Sequence, residues 1–148
     1  MWQQIPIAAI LFLLGGLPWV VWGVFVRVGA CTTMHWCISY FAHTGEPDDW
    51  MIEGAVIQAS NVGIMAIPTM GESWHGNHHA FPSSARHGLY PGQFDPGFRF
   101  IQLLQALGRA WNVKLPSNLP PRRGIKPLTS RALSAASEDQ ARLFLEEE

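Results

Sequence analysis

Between Ile5 and Val26 the chain places no charged residue in 22 positions, and its first 45 residues carry one formal charge, Arg27. About 20 apolar helical residues cross the roughly 30 Å hydrocarbon core of a bilayer, so the pattern predicts a membrane span. No basic stretch precedes the run and no small-x-small cleavage pattern follows it, which argues against a cleaved leader. Gly15-Gly16-Leu17-Pro18 interrupts the run. A glycine pair followed by proline can end one helix and open the next. Two arrangements follow: one kinked span over residues 5–26, or a short segment Ile5–Leu14 that turns into a second helix from Pro18 to about His43. The hairpin is preferred, because its second helix, at roughly 38 Å, crosses the bilayer and protrudes.

After Thr44-Gly45 the pattern becomes polar. An acidic cluster, Glu46, Asp48, Asp49 and Glu53, precedes an apolar run from Gly54 to Met70. That run contains Gln58 and Asn61 and ends near Pro68, so it reads as a surface or interface segment rather than a crossing. A crossing here would put His43 and His75 on opposite faces of the membrane. Asp95-Pro96 reads as a helix cap followed by a first-turn proline. Phe98, Ile101, Leu104, Leu107 and Trp111 recur at helical spacing with Arg99, Gln102, Gln105 and Arg109 between them, an amphipathic helix suited to a membrane surface, to covering a site, or to packing on its own domain. Leu119 to Pro127 reads as a Pro/Arg linker. Ser137-Glu138-Asp139-Gln140 resembles a capping box for a short helix through Leu145, and Glu146–Glu148 oppose the dipole at its end. The expected fold is all-α: a membrane protein with one or two N-terminal transmembrane helices (residues 1–45), a cytoplasmic helical region carrying the histidines (46–116), and a linker and tail (117–148).

Composition changes this picture little. Apolar residues make up 48% of the 148 positions, with seven Trp, enough for a sizeable core. The net charge of −1 averages two unlike regions. From Arg86 to Lys126 there are seven basic residues against one acid, Asp95, which by the positive-inside tendency places this section in the cytoplasm. No basic stripe interleaved with aromatics is present, so nucleic-acid binding is set aside. Cys31 and Cys37 lie six apart within the apolar zone and read as inert thiols.

The candidate chemistry lies in the histidines, at 35, 43, 75, 78, 79 and 87. In His75-Gly76-Asn77-His78-His79 the three rings stand at i, i+3 and i+4, which share a helix face and can converge. Protonated rings would repel; a metal ion rewards the arrangement by binding neutral nitrogens. Imidazole suits zinc, copper, iron and nickel alike. A zinc peptidase of the H-E-x-x-H type needs Glu beside the first His, where Gly76 stands.

The stretch Gly71-Glu72-Ser73-Trp74-His75-Gly76-Asn77-His78-His79-Ala80-Phe81-Pro82 resembles the last histidine box of membrane fatty-acid desaturases, the stearoyl-CoA (delta-9) type and its bacterial acyl-CoA relatives. Ser83-Ser84-Ala85-Arg86, Gly88-Leu89 and Asp95-Pro96-Gly97-Phe98 continue the resemblance in order. Trp36-Cys37-Ile38-Ser39-Tyr40-Phe41-Ala42-His43 is similar to the segment that carries a further histidine at the end of the family's last membrane helix. The resemblance covers roughly residues 17–116, the C-terminal half of such enzymes. It implies that His43, His75, His78 and His79 are ligands of a di-iron centre. The family places an Asn, tied to the metal through water, four residues before the helix-end histidine. Ser39 stands there instead, and Ser39 and Asn77 are the candidates for positions behind the ligands. His35, about 12 Å up the helix from His43, and His87 read as packed residues.

The resemblance further implies an O₂-dependent oxidoreductase of unsaturated fatty acid biosynthesis. Its partners would be membrane lipid, an acyl-CoA or acyl-lipid substrate, and a ferredoxin- or cytochrome-type electron donor. Whole members carry two earlier boxes, H-x-x-x-x-H and H-x-x-H-H, that this chain lacks, so the iron site would be shared with a separate or missing N-terminal half. A related di-iron lipid hydroxylase, and a non-catalytic membrane fragment or subunit with an incomplete metal site, are the alternatives.

Overall fold

The computed structural model describes residues 2–120 and 122–135. These fall into two compact units, Met1–Cys37 and Ile38–Glu148. The capping box predicted at Ser137–Gln140 and the helix after it lie outside the described residues.

In the first unit, helix α1 (Gln4–Val20) passes through a π-helical turn, Val21–Val26, into α2 (Arg27–Thr44), whose residues from Ile38 onward belong to the second unit. The glycine-proline signal has a structural counterpart: Gly16 leaves the helix at φ 68°, ψ −160°, a conformation that costs a residue without Cβ least. Arg27 Nη2 donates to Gln4 Oε1 at 2.6 Å. Along an unbroken helix these residues would stand about 35 Å apart, so the run is interrupted at Gly16 and is not one straight rod. By length and composition the stretch Gln4–Thr44 is apolar enough to cross a membrane. Its large side chains lie uncovered, with Leu13 83% and Trp22 70% exposed.

The second unit is built around a feature the all-α expectation omits, a two-stranded antiparallel sheet. Strand β1 (Trp50–Ile52) pairs with β2 (Ile125–Pro127) in the register Trp50 to Pro127, Met51 to Lys126 and Ile52 to Ile125. Strand β2 thus falls within the stretch read from sequence as a linker. Three-residue strands are too short for an alternating pattern to stand out, and this pair joins segments some 75 positions apart. Its stability comes from burial. Trp50, Ala80, Phe81, Tyr90, Ile125 and Ala132 form one apolar core, with Trp50 edge-on to Phe81 at 5.0 Å. Asp49 is fully buried beside it and accepts from Arg131 Nε at 2.7 Å and Thr129 Oγ1 at 2.8 Å, which ties the start of α5 (Ser130–Ala135) to the start of β1.

Helix α3 is the single turn and a half His75–Ala80, and its C-terminal residues Ala80 and Phe81 enter this core. Helix α4 (Pro96–Ala106) starts at the predicted cap, Asp95, whose carboxylate accepts from Phe98 N. It stops short of Trp111. Gly108 takes φ 66°, while Gly108 N and Arg109 N donate to Gln105 O and Leu104 O, the paired bonds of a glycine-terminated helix end. The half-buried stripe therefore consists of Phe98, Ile101 and Leu104, and Leu107 and Trp111 lie beyond the last turn. The segment 54–70 contains a short 3₁₀ turn, Gly63–Met65, and no helix that could cross a membrane.

Candidate metal site

His43 occupies the last turn of α2 and His75 opens α3. What brings them together is the irregular segment 58–62. Ser60 N donates to Ala42 O, one residue before His43, and Ser60 O accepts from Gly76 N, one residue after His75. Gly76 is needed at this crossing, because a Cβ there would meet Ala59 O at 2.9 Å and Asp48 Oδ1 at 3.2 Å.

Three of the predicted rings meet. His43 Nε2 lies 3.2 Å from His75 Nε2, which lies 3.1 Å from His79 Nε2, and all three donors fall within 4.8 Å of one another. The tautomer of His43 is fixed by its other nitrogen. Nδ1 sits 2.9 Å from Gln58 O, a carbonyl that only accepts, so Nδ1 carries the proton and a neutral His43 presents a bare Nε2. Gln58 is itself clamped: its side chain accepts from Ile52 N and donates to Ile52 O and Ala55 O, so β1 sets the carbonyl that orients His43. This is the orienting hydrogen bond that metal-binding histidines usually make.

His75 Nε2 holds one proton or one lone pair and can make one good hydrogen bond, yet two ring nitrogens crowd it. Nitrogens bound at about 2.1 Å to one ion, at angles of about 90–110°, sit about 3.0–3.4 Å apart. The three imidazoles therefore have the chemistry and the spacing to hold a metal ion among them. Burial, then the charges of His43, His78 and Arg122, lower the pKa of His79, which favours the neutral, ligating form.

His78 stands apart from this cluster. Its ring centre is 6.0 Å from those of both His75 and His79, and 4.8 Å from that of His87. Helical geometry explains the split: at 100° per residue, i+3 and i+4 fall on opposite sides of i. His79 swings toward His43 and His78 swings the other way. Burial, then the charge of His87, lowers the pKa of His78, with Glu72 acting in the opposite sense. His35, in the first unit, is exposed. Ser39 is half-buried and has no hydrogen bond to any histidine among the described residues.

Asn77 makes no hydrogen bond to the clustered rings, yet it is 1% exposed and organises the surroundings. Its Nδ2 donates to His87 O at 2.7 Å and to Gln93 Oε1 at 2.9 Å, and its Oδ1 accepts from Asn61 Nδ2 at 3.3 Å. Asp95 completes the support. One carboxylate oxygen caps α4 through Phe98 N and the other accepts from His87 N and Gly88 N. Asp95→Ala removes all three bonds. It is expected to lower stability by about 2–4 kcal/mol, read as a fall of several degrees or more in thermal denaturation; an unchanged midpoint would mean water replaces the carboxylate. The cap was visible in the sequence as Asp95-Pro96, but its hold on His87 depends on a loop fold with no local signal. The roles of Gln58 and Gln93 were missed for the same reason.

Comparison with known proteins gives this geometry a context. The chain is 38% identical over 116 residues to an acyl-CoA C20 Delta5-desaturase of Anemone leveillei, covering 78% of this chain and 36% of the relative. It is 36% identical over 121 residues to the chloroplastic palmitoyl-monogalactosyldiacylglycerol delta-7 desaturase of Arabidopsis thaliana, 82% of this chain and 32% of the relative. With the sn-1 stearoyl-lipid 9-desaturase of Synechocystis sp. it shares 37% identity over 118 residues, 76% of this chain and 35% of the relative. No family model matches the chain, and no solved structure does. By sequence, the matched three quarters or more of the chain belongs to the family of acyl-CoA and acyl-lipid desaturases, and it spans about a third of the length of these relatives.

Proposed function

We propose that the chain forms one part of a membrane fatty-acyl desaturase, in which His43, His75, His78 and His79 contribute to a di-iron centre on the cytoplasmic side of the membrane. The observation that carries this reading is the meeting of three Nε2 atoms around a His43 whose tautomer is fixed by Gln58 O. Those residues fit iron: neutral imidazole is a good ligand for it, and the crowding at His75 Nε2 is relieved by a shared cation. Iron bound there supplies, with O₂ and two electrons, the oxidising power to remove hydrogen from an unactivated methylene, which side-chain acids and bases lack.

The chain's own residues do the rest. The apolar stretch before and after Gly16 inserts as a helical hairpin, for which lipid is the natural cover of Leu13 and Trp22. Helix α2 carries His43 to the membrane edge, where segment 58–62 docks α3 against it. Four histidines do not complete two irons, so the remaining ligands come from the portion of the relatives' length that this chain does not span, or from a separate subunit. The substrate is an acyl chain on CoA or on a lipid, and the reductant a ferredoxin- or cytochrome-type protein.

Fatty-acid analysis tests the reading. Joined to the unmatched two thirds of one of these relatives in a host without the product, the chain is expected to yield unsaturated acyl chains, and the same fusion carrying His78→Ala to yield none. Turnover unchanged by His78→Ala would remove that residue from the site, and hydroxylated chains would make the protein a hydroxylase.

A further inference from the structure

The six histidines do not form one cluster, and the part left over has a geometry of its own. His78 and His87 lie with ring centres 4.8 Å apart and planes tilted at 51°, and no hydrogen bond joins the rings. His78 Nδ1 is buried and has no hydrogen-bond partner. A buried ring nitrogen without a partner costs free energy unless something else satisfies it. Two imidazoles bound to one ion at about 2.1 Å, at angles of about 90–110°, have ring centres about 4.5–5.2 Å apart. The rings of the His43, His75 and His79 cluster are spaced at 4.7, 4.9 and 5.0 Å, and the His78 and His87 pair falls in the same interval. Ordinary aromatic contacts fall there too. The unsatisfied Nδ1 is what separates the two explanations.

The backbone of His87 is held as a ligand position would be. Its N–H donates to Asp95 Oδ2 at 2.8 Å and its carbonyl accepts from Asn77 Nδ2 at 2.7 Å. Asn77 adjoins His78 in α3, so one buried side chain ties the His87 loop to the helix carrying His78. Nothing in the sequence spacing of His87, eight residues beyond the last histidine of the box, indicated this.

We infer that His78 and His87 together form half of a second metal position, with His87 as a ligand that the histidine box does not include. The inference rests on the reading of His43, His75 and His79 as the first position. Each histidine set supplies one ion, and donors from outside the chain or solvent complete the second. The pair selects a divalent cation with an affinity for imidazole nitrogen, iron in the working enzyme and zinc as a diamagnetic substitute.

The test is nitrogen-edited NMR of the histidine rings in the full chain, held in detergent and titrated with zinc chloride. Binding is expected to shift one ring nitrogen each of His78 and His87 with a shared midpoint, distinct from the midpoint shared by His43, His75 and His79. His87→Gln should weaken the response of His78 about tenfold or more and leave the response of the three clustered rings in place, which also reports that the variant is folded. A His87 ring that stays silent in the wild-type chain while the cluster responds would overturn this inference alone. A silent cluster would overturn the first metal position, and a His78 response unchanged in His87→Gln would return His87 to a packing role.

Discussion

Replacing His75 by alanine is expected to cost about 100-fold or more in metal affinity, beyond the loss typical of a supporting residue around a metal. It should also remove all unsaturated product from the complete enzyme. The reason is its central place: the His75 ring nitrogen contacts both His43 and His79, whereas each of those has one close ring nitrogen in the cluster. Without it, two imidazoles remain in place of three, His43 and His79, with ring centres 4.9 Å apart. The ring is half-buried at the start of α3 and is not part of the apolar core, so stability should change by only about 1 kcal/mol. Competition for cobalt or zinc against a coloured chelator, with thermal denaturation alongside, checks both numbers. Affinity within a few-fold of wild type would show that the cluster is a packing arrangement.

Asn77→Ala should behave in the opposite way. The side chain is 1% exposed and makes three hydrogen bonds, to His87 O, Gln93 Oε1 and Asn61 Nδ2. Truncation leaves two acceptors and a donor without this partner in a half-buried setting. The expected loss is about 3 kcal/mol, a fall of about 6 °C or more in the unfolding midpoint of a chain of this size. The three clustered rings should keep their zinc response below that temperature, because Asn77 makes no hydrogen bond to them. An equal loss of stability in Asn77→Ala and Asn77→Asp would point to the two Nδ2 donor bonds, which both variants lack, and a loss confined to alanine would point to the volume and the Oδ1 acceptor that aspartate keeps.

The features legible in the sequence are those encoded within a few residues. The Gly15-Gly16-Leu17-Pro18 break and the Asp95-Pro96 cap are local chemistry, and both have structural counterparts at the positions expected. Helical spacing correctly puts His75 and His79 on one face. It fails for His78, because three and four residues are each a partial turn and the two rings diverge from His75. The end of α4 was legible in principle, since Gly108 sits where a left-handed helix end wants glycine, but the apolar residues Leu107 and Trp111 obscured it. The short sheet, the Gln58 carbonyl and the loop of His87 were not legible at all. Each depends on contacts between segments far apart in the chain, and none leaves a periodic trace.

The antiparallel strand pair has a consequence for how little of this chain can be kept. Ile125 and Arg131 brace Trp50 and Asp49, the adjoining Ile52 braces Gln58, and Gln58 aims the imidazole at the tip of α2. A protein cut after the last histidine would retain every donor atom and lose the scaffold that points one of them. The working boundary of the unit that holds the histidine cluster lies past Arg131, more than forty residues beyond His87.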